Sequence, residues 1–157
     1  MKLEFDLTKQ DYWVYNKYSI YGVKNIRKIF LGTPATIWGV LLAACLIFKL
    51  DPKVCILAAI GMTACYLGTI YVPMRKGIMS ISDDKLKNHV VEIDTEKGQL
   101  VHKFGSKQTK YNKDNAPKVV RKKDYIFVIM ETYGAVIIPK SENYSLDEVE
   151  KELAKIF

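Results

Sequence analysis

Apolar and polar positions fall into three regimes along this chain. Residues 1–7 (MKLEFDL) alternate with a period of two, which predicts a strand, and a helix is expected from about Thr8 to Ile26. Residues 29–48 and 54–74 then run for 20 and 21 positions without a charge. At about 1.5 Å rise per residue each covers roughly 30 Å as a helix, the thickness of a bilayer's hydrocarbon core. The first holds ten Leu, Ile, Phe or Val residues and the second seven. At roughly −0.5 kcal/mol per residue these favour insertion by about 5 and about 3 kcal/mol. A buried helical hairpin in a soluble core is the competing reading, but such helices rarely reach this length without a charge on one face. Pro34 suits the first turns of a helix starting near Thr33, where its missing N–H costs least. Residues 49–53 (KLDPK) make a short polar connector, so the two helices are expected as antiparallel neighbours in a transmembrane hairpin.

Beyond the second span the period changes. Residues 75–88 (RKGIMSISDDKLKN) read as a charged linker, helical in part, and short runs rich in Val, Ile, Tyr and Phe follow at 90–94, 100–104, 108–112, 118–121, 125–130 and 135–138. Turn chemistry separates them. Residues 94–98 (DTEKG) and 131–134 (ETYG) fit hairpin loops ending on a glycine that supplies a positive φ. The final element is a helix opened by a capping box, Ser145 with Glu148, and striped by Leu146, Val149, Leu153 and Ile156. The expected fold is therefore an α+β membrane protein: a two-helix transmembrane hairpin plus a small antiparallel β domain of pleckstrin-homology-like (PH-like) plan, closed by a C-terminal helix. The expected divisions are an N-terminal strand and helix over 1–28, the hairpin over 29–74, the linker over 75–88 and the β domain over 89–157, with the opening strand joining the sheet as an edge.

Small residues recur at helical spacing in both spans, Ala35, Gly39 and Ala43 in the first and Ala58, Gly61, Cys65 and Gly68 in the second. Such rows let helix backbones approach closely in lipid, so the rows are expected to face each other. A homodimer interface built from the same rows is the alternative. Lys17, Lys24, Arg27 and Lys28 precede the hairpin and Arg75, Lys76, Lys85 and Lys87 follow it, against only Lys49 and Lys53 in the connector. By the positive-inside rule both termini are expected in the cytoplasm and the protein in the cell membrane. Tyr12, Trp13, Tyr15, Tyr18, Tyr21 and Tyr71 are placed either for an interfacial belt or for packing on the soluble part. Residues 1–28 are too polar for a removable signal peptide, so the first span is expected to serve as its own insertion signal.

Apolar residues make up 49% and charged residues 26% of the 157, which excludes a disordered or collagen-like chain. Net charge is +7, and its distribution is uneven: nine basic residues and one acid lie between Lys97 and Lys123, whereas residues 124–157 hold seven acids and three lysines. A basic segment tethered beside anionic lipid gains roughly 1 kcal/mol per Lys or Arg near the surface. Lys107, Lys110, Arg121, Lys122 and Lys123 are therefore the candidate contacts to anionic headgroups or a ligand, with a merely solvated face as the competing reading. The basic residues carry no nucleic-acid recognition motif. No GxSxG, HExxH, P-loop or GxGxxG occurs, and the spans hold no ionisable side chain except Tyr and Cys. His89 and His102 are the two histidines, and His102 reads as a surface or edge residue of a strand. Cys45, Cys55 and Cys65 lie inside the spans as small apolar groups, although Cys45 and Cys55 flank the connector and can approach one another. No catalytic residue, metal or cofactor is expected.

The order of these elements resembles the YcxB-like proteins of Gram-positive bacteria. The resemblance runs from an opening strand into Leu7-Thr8-Lys9-Gln10-Asp11-Tyr12, through the two-span hairpin, to Val136-Ile137-Ile138-Pro139-Lys140 before the Ser145 helix. It implies a membrane protein with a small PH-like cytoplasmic domain, in a family without an established activity. The function expected is a membrane-anchored, non-enzymatic binding or adaptor module at the cytoplasmic leaflet, with the bilayer, anionic headgroups or a membrane protein as partners. Immunity or stress protection against membrane-active peptides is the alternative.

Overall fold

The structure, a computed structural model, describes residues 1–116, 118–130 and 134–157. The chain forms two units, one of residues 1–15 and 81–157 and one of residues 16–80. The first is a β unit with two antiparallel sheets. In sheet one, β1 (Lys2–Phe5), β2 (His89–Asp94), β3 (Gln99–Phe104) and β4 (Lys107–Tyr111) lie in the order β1-β2-β3-β4. In sheet two, β5 (Lys118–Arg121), β6 (Tyr125–Ile129) and β7 (Ala135–Pro139) lie in the order β5-β6-β7. The opening strand is an edge strand, as the alternation predicts: Leu3 pairs with Val91 and Phe5 with His89. The terminal amine donates to the Ile93 carbonyl at 2.7 Å and the Leu7 amide to the Leu86 carbonyl at 2.6 Å, fastening both ends of this segment.

Two sheets, rather than the one small sheet expected, follow from the chemistry after β4. The Asn112 side chain accepts from the Asp114 and Asn115 amides at 3.2 Å each, and the Asn115 side chain accepts from the Asn112 amide at 2.9 Å. This turn ends the β3–β4 ladder, and the next strand starts a separate sheet. Gly98, at φ 60°, closes the β2–β3 loop as its composition predicts. Of the second expected loop, residues 131–133 lie outside the described residues.

One core serves both sheets. Leu3, Val91, Ile93 and Leu100 from sheet one meet Ile126, Val128, Val136 and Ile138 from sheet two, together with Leu146, Val149, Leu153 and Ile156 of the C-terminal segment. The amphipathic helix α4 (Leu146–Leu153) thus buries the stripe its sequence shows. The Ser145 hydroxyl caps it by accepting from the Asp147 amide at 3.3 Å. On the other face of β6, Phe127 meets Tyr15 edge to face with ring centroids 5.4 Å apart, so β6 is covered on both sides.

The helical unit contains α2 (Lys24–Phe48) and α3 (Pro52–Met79). A shorter helix, α1 (Lys9–Gly22), starts in the β unit and ends in this one. It stops four residues before the expected end because Val23 is extended, at φ −86° and ψ 116°, and a Cβ at Gly22 would run into the Tyr18 ring. The start expected near Thr33 is corrected: α2 begins at Lys24 and Pro34 lies inside it. Charges end a hydrophobic span, not a helix, and Lys and Arg extend one readily. Likewise α3 continues through residues 75–79 of the expected linker before a single 3₁₀ turn at Asp83–Lys85. Asp51 caps α3 by accepting from the Lys53 amide at 2.9 Å, with Pro52 at its first position. At 25 and 28 residues both helices are long and apolar enough to cross a membrane.

Because Leu153 is fully buried where α4 meets the shared core, Leu153→Ala should destabilise the β unit by about 2–5 kcal/mol. A urea series read by pulse proteolysis of the detergent-solubilised chain measures this; an unchanged midpoint would show that α4 is not part of that core.

Candidate functional site

The basic residues singled out by the sequence occupy two kinds of position. Lys107 and Lys110 are exposed on β4, an edge strand of sheet one. Their odd spacing puts them on opposite faces of the strand. Lys122 and Lys123 are exposed in the tight β5–β6 turn, which the Lys122 amide closes by donating to the Tyr125 carbonyl at 2.8 Å. Arg121 is placed differently: its guanidinium reaches Asp147 at 3.2 Å and Glu150 at 3.6 Å, both on α4. Those exposed pairs are worth at most about 1 kcal/mol each, but they neutralise Arg121 as an outward cation.

In the helical unit, the expectation that the small-residue rows face each other is not met. Ala35, Gly39, Ala43, Ala58, Gly61 and Cys65 are exposed, Gly68 is half-buried, and a Cβ at Gly39, Gly61 or Gly68 would meet no neighbouring atom within 4 Å. Larger groups fill the seam instead. The Trp38 indole donates to the Thr63 hydroxyl at 3.2 Å, and Phe30 packs edge to face on Tyr21 and Tyr71 with centroids 5.2 and 6.2 Å apart. Rings of that size hold the backbones further apart than a glycine seam would.

Two polar constellations in the β unit went unread in the sequence. The first is centred on Asp11, which is 7% exposed. One carboxylate oxygen accepts from the Thr8 amide at 2.6 Å and the Thr8 hydroxyl at 2.8 Å, while the Asp11 amide donates back to that hydroxyl at 3.3 Å. This is a reciprocal capping box at the start of α1, and its Thr-x-x-Asp spacing was the available signal. The other oxygen accepts from the Tyr125 hydroxyl at 2.8 Å, joining α1 to β6. Burial, then the Asp11 hydrogen bond and the nearby Asp124 charge, push the Tyr125 phenol up to about 12, so it stays a donor at neutral pH. A cavity of about 430 Å³ opens beside this pair, bordered by Glu4, Asp6, Asp124 and Lys140. With both oxygens engaged, Asp11 has the role of a strut rather than of a general base.

The second constellation is the histidine pair. His102 is not on an edge strand and is half-buried: β3 lies between β2 and β4, and cross-strand register brings His102 diagonal to His89. The nitrogens His89 Nδ1 and His102 Nε2 are 3.0 Å apart, and His89 Nε2 lies 3.2 Å from the Lys85 carbonyl. A carbonyl only accepts, so His89 carries its proton on Nε2, and His102 Nε2–H donates to the bare His89 Nδ1. Phe5 and Phe104 stack on the two faces of His89 with interplanar angles of 5° and 7°. Burial lowers the pKa of both imidazoles, and with the neighbouring His89 it takes His102 down to about 4. Among the described residues no cluster of three His, Cys, Asp or Glu could hold a metal ion.

No family model, curated protein or solved structure matches the chain. The functional reading therefore rests on geometry and charge.

Two predictions follow from the buried polar groups. Asp11→Ala strands the Tyr125 hydroxyl and the Thr8 amide, so it should cost about 2–3 kcal/mol, Tyr125→Phe about 1, and the double variant less than their sum. Additive costs in urea denaturation would mean that the two groups do not interact. For the histidines, the folded pKa lies below the unfolded value of about 6.5, so the unfolded chain binds more protons as acid is added. Stability should fall by about 1–2 kcal/mol between pH 7 and pH 5, and His102→Gln should flatten that slope; Tm measured across this range decides it.

Proposed function

We propose that the chain is a membrane-anchored, non-enzymatic binding module whose β unit is held at the cytoplasmic leaflet. The observation that carries the proposal is the apolar exterior of the helical unit. Leu46, Ile47, Phe48 and Leu57 are 70–82% exposed, and the most apolar 18-residue windows of α2 and α3 are only 6% and 11% buried. Leaving such side chains in water forfeits about 25 cal/mol per Å² of apolar surface, a cost that hydrocarbon removes. Lys and Arg cluster beyond both outer ends of the helices, which supports a cytoplasmic location for both termini. The antiparallel strands with one C-terminal helix in their core support a PH-like body, as the YcxB-like resemblance implies.

Of the expected basic contacts, Lys122 and Lys123 are the strongest, since they sit together in an exposed turn, with Lys107 and Lys110 as secondary ones. Anionic headgroups are the ligand class that suits two adjacent ammonium groups near a membrane. Hydrogen exchange of the full-length protein in nanodiscs tests this. Amides of the β5–β6 turn should be better protected in phosphatidylglycerol than in phosphatidylcholine, and K122E/K123E should abolish the difference. Equal protection in the two lipids would refute headgroup docking, and release of the protein from membranes by alkaline wash would refute the anchor.

A further inference from the structure

The ring contact between Phe30 and Tyr71, with centroids 6.2 Å apart, sets α2 beside α3 at the end of the helical unit away from the connector. Tyr21 joins it, through its ring on Phe30 and its hydroxyl on that of Tyr71. Because the helices are antiparallel, the residues before Phe30 and those after Tyr71 leave this contact in the same direction. Lys24, Arg27 and Lys28 lie two to six residues before Phe30, and Arg75 and Lys76 lie four and five after Tyr71. At about 1.5 Å rise per residue, the five fall in one layer about 6 Å deep. All five are exposed. Nothing in the helical unit balances them: the one carboxylate among residues 16–80 is Asp51, which caps α3 at the connector end. Like charges packed this closely sit within about one Debye length, 8 Å at physiological salt, so dissolved ions screen their repulsion only in part. Local helix electrostatics favours Arg75 and Lys76 near a C-terminus but opposes Lys24, Arg27 and Lys28, which load the positive end of α2, where the first turn holds no acid. The positive-inside rule places all five on one side of a membrane and leaves them uncompensated.

We propose that this layer is a site on the hairpin itself for the headgroup of a two-phosphate lipid of the cardiolipin class. Each helix supplies one arginine and at least one lysine, Arg27 with Lys24 and Lys28 on α2 and Arg75 with Lys76 on α3. A guanidinium meets a phosphate through two parallel hydrogen bonds, and the ammonium groups add charge without a fixed geometry. One phosphodiester brings one negative charge and satisfies one of these sets. Two phosphates joined in one headgroup satisfy both, because packed helix axes lie only about 8–10 Å apart. Once the first phosphate is held, the second binds at the raised effective concentration of a short linker. The inference rests on the membrane reading above, and it uses none of the lysines that the β unit offers to headgroups.

The test is native mass spectrometry of the full-length protein in mild detergent, titrated with cardiolipin or, at twice the concentration to match phosphate, with phosphatidylglycerol. One cardiolipin per chain should bind at least about tenfold more tightly than phosphatidylglycerol. R27Q/R75Q should lose that preference, whereas K49Q/K53Q, which removes the same charge from the connector end, should keep it. The wild-type comparison stands whether or not a variant folds. Equal wild-type affinity for the two lipids overturns the proposal, and so does an equal effect of the two double variants. Release of the protein from membranes by alkaline wash would refute the anchor, whereas a chain that resists the wash and yet binds both lipids equally refutes this site alone.

Discussion

The pairing of β1 with β2 is the constraint from which the rest of the architecture follows. Residues 2–5 form a ladder with residues 89–92, although the whole helical hairpin lies between them in sequence. Closing so long a loop is less costly than its length suggests, since each doubling adds only about 0.6 kcal/mol of closure entropy. The antiparallel hairpin lowers that cost further, because α3 retraces α2 and brings the chain back. The ladder also restricts topology without reference to charge. Two hydrogen-bonded strands occupy one compartment, so a segment inserted between them must cross any membrane an even number of times. Two helices of spanning length are the smallest set that satisfies this.

The two units solve opposite solvation problems. In the β unit the fully buried side chains are Leu, Ile, Val and Phe drawn from both sheets and α4. In the helical unit Leu46, Ile47 and Leu57 point outward, while Phe30, Cys55 and Ala59 are buried and Trp38 adds a hydrogen bond to Thr63. Apolar side chains thus lie both inside and outside the helical unit, whereas in the β unit they are gathered inside.

Much of this fold is legible in the sequence, and the misreadings share a cause. Periodicity found the strands, the two long helices and the α4 stripe, because each depends on local pattern. It misjudged the start of α2 because Pro34 was read as a helix start, although a missing N–H within a long helix can be tolerated when neighbouring groups adjust. The number of sheets depended on whether Asn112 and Asn115 would bond their own turn, which composition leaves open. The histidine pair depended on β2–β3 register, in which a shift of one residue would have turned His102 to the other face. The Asp11 strut was half legible: its Thr-x-x-Asp spacing was visible, but its bond to Tyr125 joins residues 114 positions apart.

The charge pattern shows the same limit of one-dimensional reading. A basic segment followed by an acidic one suggests two faces of opposite sign, yet folding brings part of each together, since Arg121 lies against Asp147 and Glu150. What survives as outward positive charge is spread over β4, Lys113, Lys118 and the β5–β6 turn. On β4 the lysines have a second physical role, because charge on an edge strand opposes pairing with another chain. Replacing Lys107 or Lys110 would therefore change both lipid attraction and edge protection. Lys122 and Lys123 lie in the three-residue β5–β6 connection rather than within a strand, and the headgroup reading stands or falls with them.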